Sequence, residues 1–204
     1  METYEHKNYD WYKAVQRKLT ARKTNQGQSI MSWIDEAGII AVNKLIHYYV
    51  TDIQTIVCHG CRNGIEVDAF QRLNPMVKVF GTDIYGKAYK YDRKYFREMD
   101  FDDVPPEWVG YFDVIYSNSI DHSRNPINTL MAWKTELRNN GICFINFHWG
   151  RGVSREDCFH LDPVRYEEEI KEMAEKIGMK SLYISIPYSF ADGASCADVI
   201  MGKA

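Results

Sequence analysis

The reading turns on residues 55–64, TIVCHGCRNG. The opening run, TIVCH, is rich in β-branched and apolar side chains and stops at Gly60, as a buried strand ending in a turn does. Behind it, residues 65–73 read as a compact helix closed by Asn74 and Pro75. Glycines in the intervening loop let the backbone pass close to a ligand, and the first turn of a helix offers free N–H groups. Two nucleotide-binding patterns fail here. A dinucleotide fingerprint needs G-x-G-x-x-G, but Arg62 and Ile65 stand where its second and third glycines belong. A phosphate loop needs Gly-Lys-Ser/Thr, which the segment lacks.

Working outward, strands and helices alternate. Residues 77–82 read as a second strand ending at Asp83, residues 88–97 as helical, and residues 95–99 as a weak third strand. A strong strand, FDVIYS, covers 112–117. A helix follows at 126–137, then a turn at 138–141, a strand at 142–147 and a charged amphipathic helix at 163–177 stopped by Gly178. Two strands, 181–187 and 197–202, close the chain. Ahead of the series lie two helices, 8–22 with a basic face and 29–49, where Ser29 is a cap candidate and Ile30, Trp33, Ile34, Ile40, Val42 and Leu45 are the apolar positions. Alternation of this kind implies βαβ units and a parallel sheet. The last two strands have no room for a crossover helix, so they should run antiparallel. Open parallel sheets bind ligand beyond the carboxyl ends of their strands. Chemistry is therefore expected just after His59, Thr82, Ser117 and Phe147. Asp83, about twenty residues past the glycine loop, can accept hydrogen bonds from both ribose hydroxyls of an adenosine.

These segments together resemble the class I S-adenosylmethionine-dependent methyltransferases over roughly residues 50–204. IVCHGCRNG at 56–64 lies on the family's first motif, a hydrophobic strand and a glycine loop. Asp83 matches the acidic residue that holds the ribose. Met99, Asp100 and Phe101 resemble the segment that contacts the adenine amino group and packs on the ring. Residues 111–117 with Asn118, Ser119, Ile120, Asp121 and His122 resemble the fourth strand and its loop, and LRNNGI at 137–142 the turn before the fifth. Cys58 stands where members often have an acid, and Arg62 where they often have a second glycine. The resemblance implies an α/β fold: a Rossmann-like, mostly parallel seven-stranded sheet with an antiparallel C-terminal strand, residues 51–204, plus an N-terminal helical appendage or lid, residues 1–50. It implies S-adenosylmethionine as cofactor, with S-adenosylhomocysteine as product. The cofactor would be held by His59, Gly60, Cys61, Arg62, Asp83, Ile84, Asp100, Phe101 and Ser117, with Arg62 facing either the methionine carboxylate or solvent.

On the acceptor side, His122 is the candidate general base, since an imidazole takes up protons near neutrality. Packing beside the cofactor is its plainer role. His148, Trp149 and Arg151 follow a strand end and could bind an acceptor with an acidic or phosphate group; a surface loop is the plain alternative. Cys58 and Cys61 form a C-x-x-C, but a structural zinc wants four ligands and no second pair has suitable spacing, so no metal is expected. Basic residues mix with tyrosines at 87–97, and a second basic stretch covers 13–23; both are more commonly solvated helix faces than RNA platforms.

Composition bounds the rest. A chain of 204 residues with 45% hydrophobic content can bury one sizeable core. A net charge of −3 disfavours a general nucleic-acid surface. No stretch nears the roughly 18–20 apolar residues that span a bilayer. Five cysteines, an odd number, fit reduced thiols in the cytoplasm. The expected function is methyl transfer from S-adenosylmethionine to a small or medium-sized molecule. An RNA-directed methyltransferase and a cofactor-binding module without catalysis are the alternatives.

Overall fold

The computed structural model describes residues 1–25, 34–90, 92–149, 152–189 and 195–203. In chain order the elements are β1 (Glu2–Thr3), α1 (Tyr9–Asn25), α2 (Glu36–Tyr49), β2 (Thr55–His59), α3 (Ile65–Leu73), β3 (Lys78–Asp83), β4 (Phe96–Glu98) and β5 (Phe112–Ser117). Then come α4 (Pro126–Glu136), β6 (Leu137–Trp149), β7 (Phe159–His160), α5 (Tyr166–Lys176), β8 (Met179–Ile184), β9 (Tyr188–Ser189) and β10 (Ser195–Lys203).

The main sheet runs β4-β3-β2-β5-β6-β10-β8, with β9 beside β10. Strands β4 to β6 pair in parallel. After β6 the chain skips one place, makes β8, and returns as β10 into the gap, antiparallel to both neighbours. The short β8–β10 connection leaves no other choice. The sheet is the mixed, mostly parallel one expected from the sequence, its seven-strand path ending in an antiparallel pair.

Period-two alternation divides the core between two faces. Val57, Ile115, Cys143 and Ile145 pack with Leu130 and Trp133 of α4 and Ile170 and Met173 of α5. Ile56, Cys58, Val114, Tyr116 and Phe144 pack with Ile39, Val42 and Ile46 of α2 and Val67 and Phe70 of α3. All five residues of β2 and all six of β5 are buried, as central strands covered on both faces must be. Asp113, fully buried in β5, clasps the start of β2: its Oδ2 accepts from the N–H groups of Gln54 and Thr55, and Arg138 pairs with it. Among the described residues no helix is long and apolar enough to cross a membrane.

Several local expectations change. Helix α2 begins at Glu36, because the Asp35 carboxylate caps it by accepting from the Gly38 N–H at 2.7 Å. Ser29, Ile30 and Trp33 lie outside the described residues. The buried stripe of α2 is Ile39, Val42 and Ile46, while Ile40 faces solvent. Residues 88–97 form no α-helix: two single 3₁₀ turns, Gly86–Ala88 and Arg93–Tyr95, lead into the short edge strand β4. Residues 138–141 are not a turn between elements but an irregular opening of β6. Leu137 pairs with Phe112 and Ile142 with Val114, so β6 takes five steps where β5 takes two. Asn140, at φ 64°, accommodates the extra residues.

Candidate active site

The sheet order reverses at β2, whose neighbours β3 and β5 continue in opposite directions. A ligand crevice is expected beyond the carboxyl ends at such a point, and a cleft lies there. Four successive strands deliver residues to it: Gly60 and Arg62 after β2, Asp83 and Ile84 at the end of β3, Met99, Asp100 and Phe101 after β4, and Ser119 and His122 after β5. Helix α1 supplies the opposite wall through Tyr12, Gln16 and Leu19.

The floor is built by backbone. Gly60 has φ 72°, and a Cβ there would stand 2.7 Å from the Ser119 Cβ and 3.1 Å from the Phe101 ring. Only glycine combines that dihedral with that approach. The loop is then tied to β3: Cys61 N–H donates to the Thr82 carbonyl at 2.9 Å, and Arg62 N–H to Asp83 Oδ2 at 2.9 Å. The other oxygen, Oδ1, accepts from Tyr85 N–H at 2.9 Å. Each carboxylate oxygen keeps a further lone pair for a ligand hydroxyl. Burial pushes the Asp83 carboxyl up from its ordinary range; the two N–H donors and the Arg62 and His122 charges pull the other way. Asp100 is raised too, first by burial; Tyr9 opposes this by donating its hydroxyl to Oδ2 at 2.8 Å, and the Asp102 charge adds to it.

Of the nine residues expected to hold cofactor, Gly60, Arg62, Asp83, Ile84, Asp100 and Phe101 line the cleft. Three are placed elsewhere. The His59 ring turns into the core, where Nε2 donates to Glu136 Oε2 at 2.9 Å, Nδ1 shares a hydrogen bond with Thr82 Oγ1, and the ring stacks on Trp133. Alternation explains it, since His59 must share the face of Val57. The Cys61 thiol is buried against Gly81. Ser117 is buried, its hydroxyl donating to the His59 carbonyl at 3.0 Å; it braces the loop from behind.

His122 lines the cleft, its side chain 17% exposed. Asp121 and Asp157 accompany it, the three donor atoms lying within 4.8 Å of one another. The side chains of His148 and Trp149, and all of Arg151, lie outside the described residues. Cys58 and Cys61 are free and buried, and burial raises both thiols, so neither is a poised nucleophile. Sequence reasoning placed Met99 in the adenine segment and Ser119 in the loop after the fourth strand, and it expected residues 8–34 beside the acceptor, but it did not single out Tyr12, Gln16 and Leu19. The spacing of Tyr12, Gln16 and Leu19, i, i+4 and i+7, was the available signal for one helix face.

No protein-family model and no curated protein matches the sequence. Solved structures do match in shape. A 1,6-didemethyltoxoflavin-N1-methyltransferase from Burkholderia thailandensis, with 1,6-didemethyltoxoflavin and S-adenosylhomocysteine bound, superposes with a TM-score of 0.74 at 15% identity, over 99% of this chain and 94% of the other. A phosphoethanolamine N-methyltransferase 2 from Haemonchus contortus, bound to phosphomonomethylethanolamine and S-adenosylhomocysteine, gives 0.68 at 14% identity, over 94% of this chain and 60% of the other. The [4+2]-cyclase SpnF gives 0.64 at 11% identity, over 93% of each chain. At these identities the likeness is one of fold.

Proposed function

For a chain with the class I methyltransferase fold, we propose that the cleft binds S-adenosylmethionine and that the protein transfers its methyl group to a small molecule. The observation that carries this is the convergence of Gly60, Asp83, Asp100 and Phe101 from successive strand ends on one crevice at the switch point. The residues fit the group. A glycine floor leaves room for the nucleoside, Asp83 retains lone pairs for the ribose hydroxyls, and Asp100 can accept from the adenine amino group while Phe101 packs on the ring. Arg62 is placed beside Asp83, where its cation suits the methionine carboxylate. When bound, the cofactor supplies a methyl group on a positively charged sulfur, ready for direct displacement. The protein's part is then alignment of acceptor, methyl and sulfur.

Of residues 1–50, α1 would serve as the lid, while α2 packs into the core of the sheet; the acceptor would enter on the side of His122 and α1, with His148, Trp149 and Arg151 extending the pocket. Small acceptors agree with the toxoflavin precursor and phosphomonomethylethanolamine carried by two structures of this fold. Five free, buried thiols suit a reducing compartment such as the cytoplasm. RNA is less favoured: within the basic segment, Arg97 pairs with Glu107 at 2.7 Å and Arg93 donates to the Gly86 carbonyl at 2.9 Å, so both cations are engaged locally. The same fold also serves a cyclase, so binding and turnover need separate tests. Calorimetric titration with S-adenosylhomocysteine should show binding that Asp83→Ala weakens by at least about tenfold, the loss of one to two charge-assisted hydrogen bonds. A folded protein that binds neither cofactor nor product would end the proposal.

A further inference from the structure

The segment that leads into β7 reaches back to the acceptor end of the cleft. His122 Nδ1 lies 2.9 Å from the Glu156 carbonyl oxygen, an atom that can only accept. Nδ1 must therefore carry the proton in the neutral ring, which leaves Nε2 as a bare lone pair. Nε2 has no hydrogen-bond partner among the described residues, and the ring lines the cleft. Asp157 Oδ1 stands 3.4 Å from the same Nδ1, its side chain 41% exposed. Asp121, next in the chain, has an Oδ1 without a hydrogen-bond partner among the described residues. Helix α1 fixes the backbone beneath, as Tyr12 donates its hydroxyl to the His122 carbonyl at 3.2 Å and Gln16 Nε2 donates to the Glu156 carbonyl at 2.9 Å. Across the cleft stand the Asp83 carboxyl and the Arg62 guanidinium.

Resting on the function proposed above, we propose that His122 is a general base locked in its Nδ1–H form by the Glu156 carbonyl, with Asp157 as the positioning residue that stabilises its cation, and that the acceptor is a nucleophile that arrives carrying a proton, an N–H or O–H group. In the step, the acceptor's lone pair forms a bond to the methyl carbon while the carbon–sulfur bond breaks and its electron pair stays on sulfur. The acceptor's proton passes to Nε2, and the imidazolium later releases it to water. The single positive charge of the sulfonium thus leaves as that proton.

Long-range nitrogen–carbon NMR of the full chain reads the ring directly, with His122→Gln assigning its signals among the six histidines. Above its pKa, the His122 ring should be protonated on Nδ1 and bare on Nε2, with and without S-adenosylhomocysteine. In Asp157→Asn the share of the Nδ1–H form should fall, because the carboxylate 3.4 Å from Nδ1 no longer supports that tautomer. An Nε2–H ring, or a tautomer ratio indifferent to Asp157→Asn, overturns the proposal. So does displacement of the His122 signals by micromolar zinc, or methyl transfer that EDTA abolishes, either of which would make Asp121, His122 and Asp157 a cation site instead. With methyl-labelled S-adenosylmethionine, a panel of amines, N–H heterocycles and phenols should include an acceptor whose turnover falls about 100-fold or more in His122→Gln, with product binding by calorimetry retained. Transfer only to tertiary amines or thioethers, or none in a protein that binds S-adenosylhomocysteine, overturns it. Loss of that binding in the wild type would instead count against the cofactor site, while the NMR result still judges the histidine.

Discussion

Asp83 is a carboxylate held where its charge is disfavoured. Burial raises its pKa, and the same is true of Asp100. The raised folded value fixes the sign of two effects. The folded state binds more protons than the unfolded chain in the window above the ordinary aspartate pKa of about 3.9. These two groups therefore subtract stability as pH rises through their folded pKa values, a strain that a bound nucleoside's donors would relieve. Cofactor affinity should run the opposite way. As pH falls through the raised pKa, each carboxylate loses acceptor capacity, so S-adenosylhomocysteine binding should begin to weaken before the usual aspartate range is reached. Calorimetry at descending pH checks this; an affinity that stays flat until the ordinary aspartate range is reached would count against ionised Asp83 and Asp100 as the acceptors. Gly60→Ala is the matching steric test. A methyl group at φ 72° costs about 1–2 kcal/mol by itself, and here it also meets Ser119. Urea unfolding should show that loss, and product affinity should drop further.

His59 belongs to a set of side chains joining the carboxyl ends of β2 and β3 to the last turn of α4. The pair with Glu136 is fully buried on both sides, and Glu136 Oε1 has no hydrogen-bond partner among the described residues. Removing one partner of such a pair leaves a stranded polar group, so Glu136→Ala should cost about 3–5 kcal/mol by urea unfolding. Glu136→Gln keeps an oxygen toward His59 Nε2 and should cost visibly less. Equal costs would mean that packing against Trp133, not the polar contact, holds the set together. A motif position says that a residue is near the cofactor loop; strand alternation says which face its side chain takes, and alternation governs at His59. Edge strand β4 gives the converse lesson. Its residues Phe96–Glu98 carry no strong strand pattern, and they become a strand because β3 offers them an open edge to pair with.

Helix α1 lies far from the cleft in sequence and forms its wall in space. Tyr9 reaches Asp100, Arg17 reaches the Ile84 carbonyl at 3.2 Å and Glu98 at 3.3 Å, and β1 pairs with β7 beside the segment that holds His122. Asp100 is thus shared between α1 and the proposed cofactor site. If the lid role holds, amide exchange across residues 9–19 should slow by about tenfold or more when S-adenosylhomocysteine binds. Tyr9→Phe, which removes the hydroxyl donated to Asp100, should speed that exchange in the unligated protein and change product affinity only a few-fold. Exchange in α1 that ignores the ligand would make the helix a fixed wall.

The sequence by itself determined the alternation of central strands and helices from β2 to α5, the parallel character of the sheet and the strand ends from which Gly60, Asp83 and Asp100 reach the cleft. Those depend on local patterns: β-branched runs, glycines at turns, polar residues after strands. Only the tertiary structure decided that β10 enters between β6 and β8, that Tyr12, Gln16 and Leu19 face the cleft, and that Glu156 meets His122 from 34 residues away. Such pairings join segments whose separate patterns carry no sign of each other, because burial rewards any apolar face that fits and selects the partner only when the whole chain is packed.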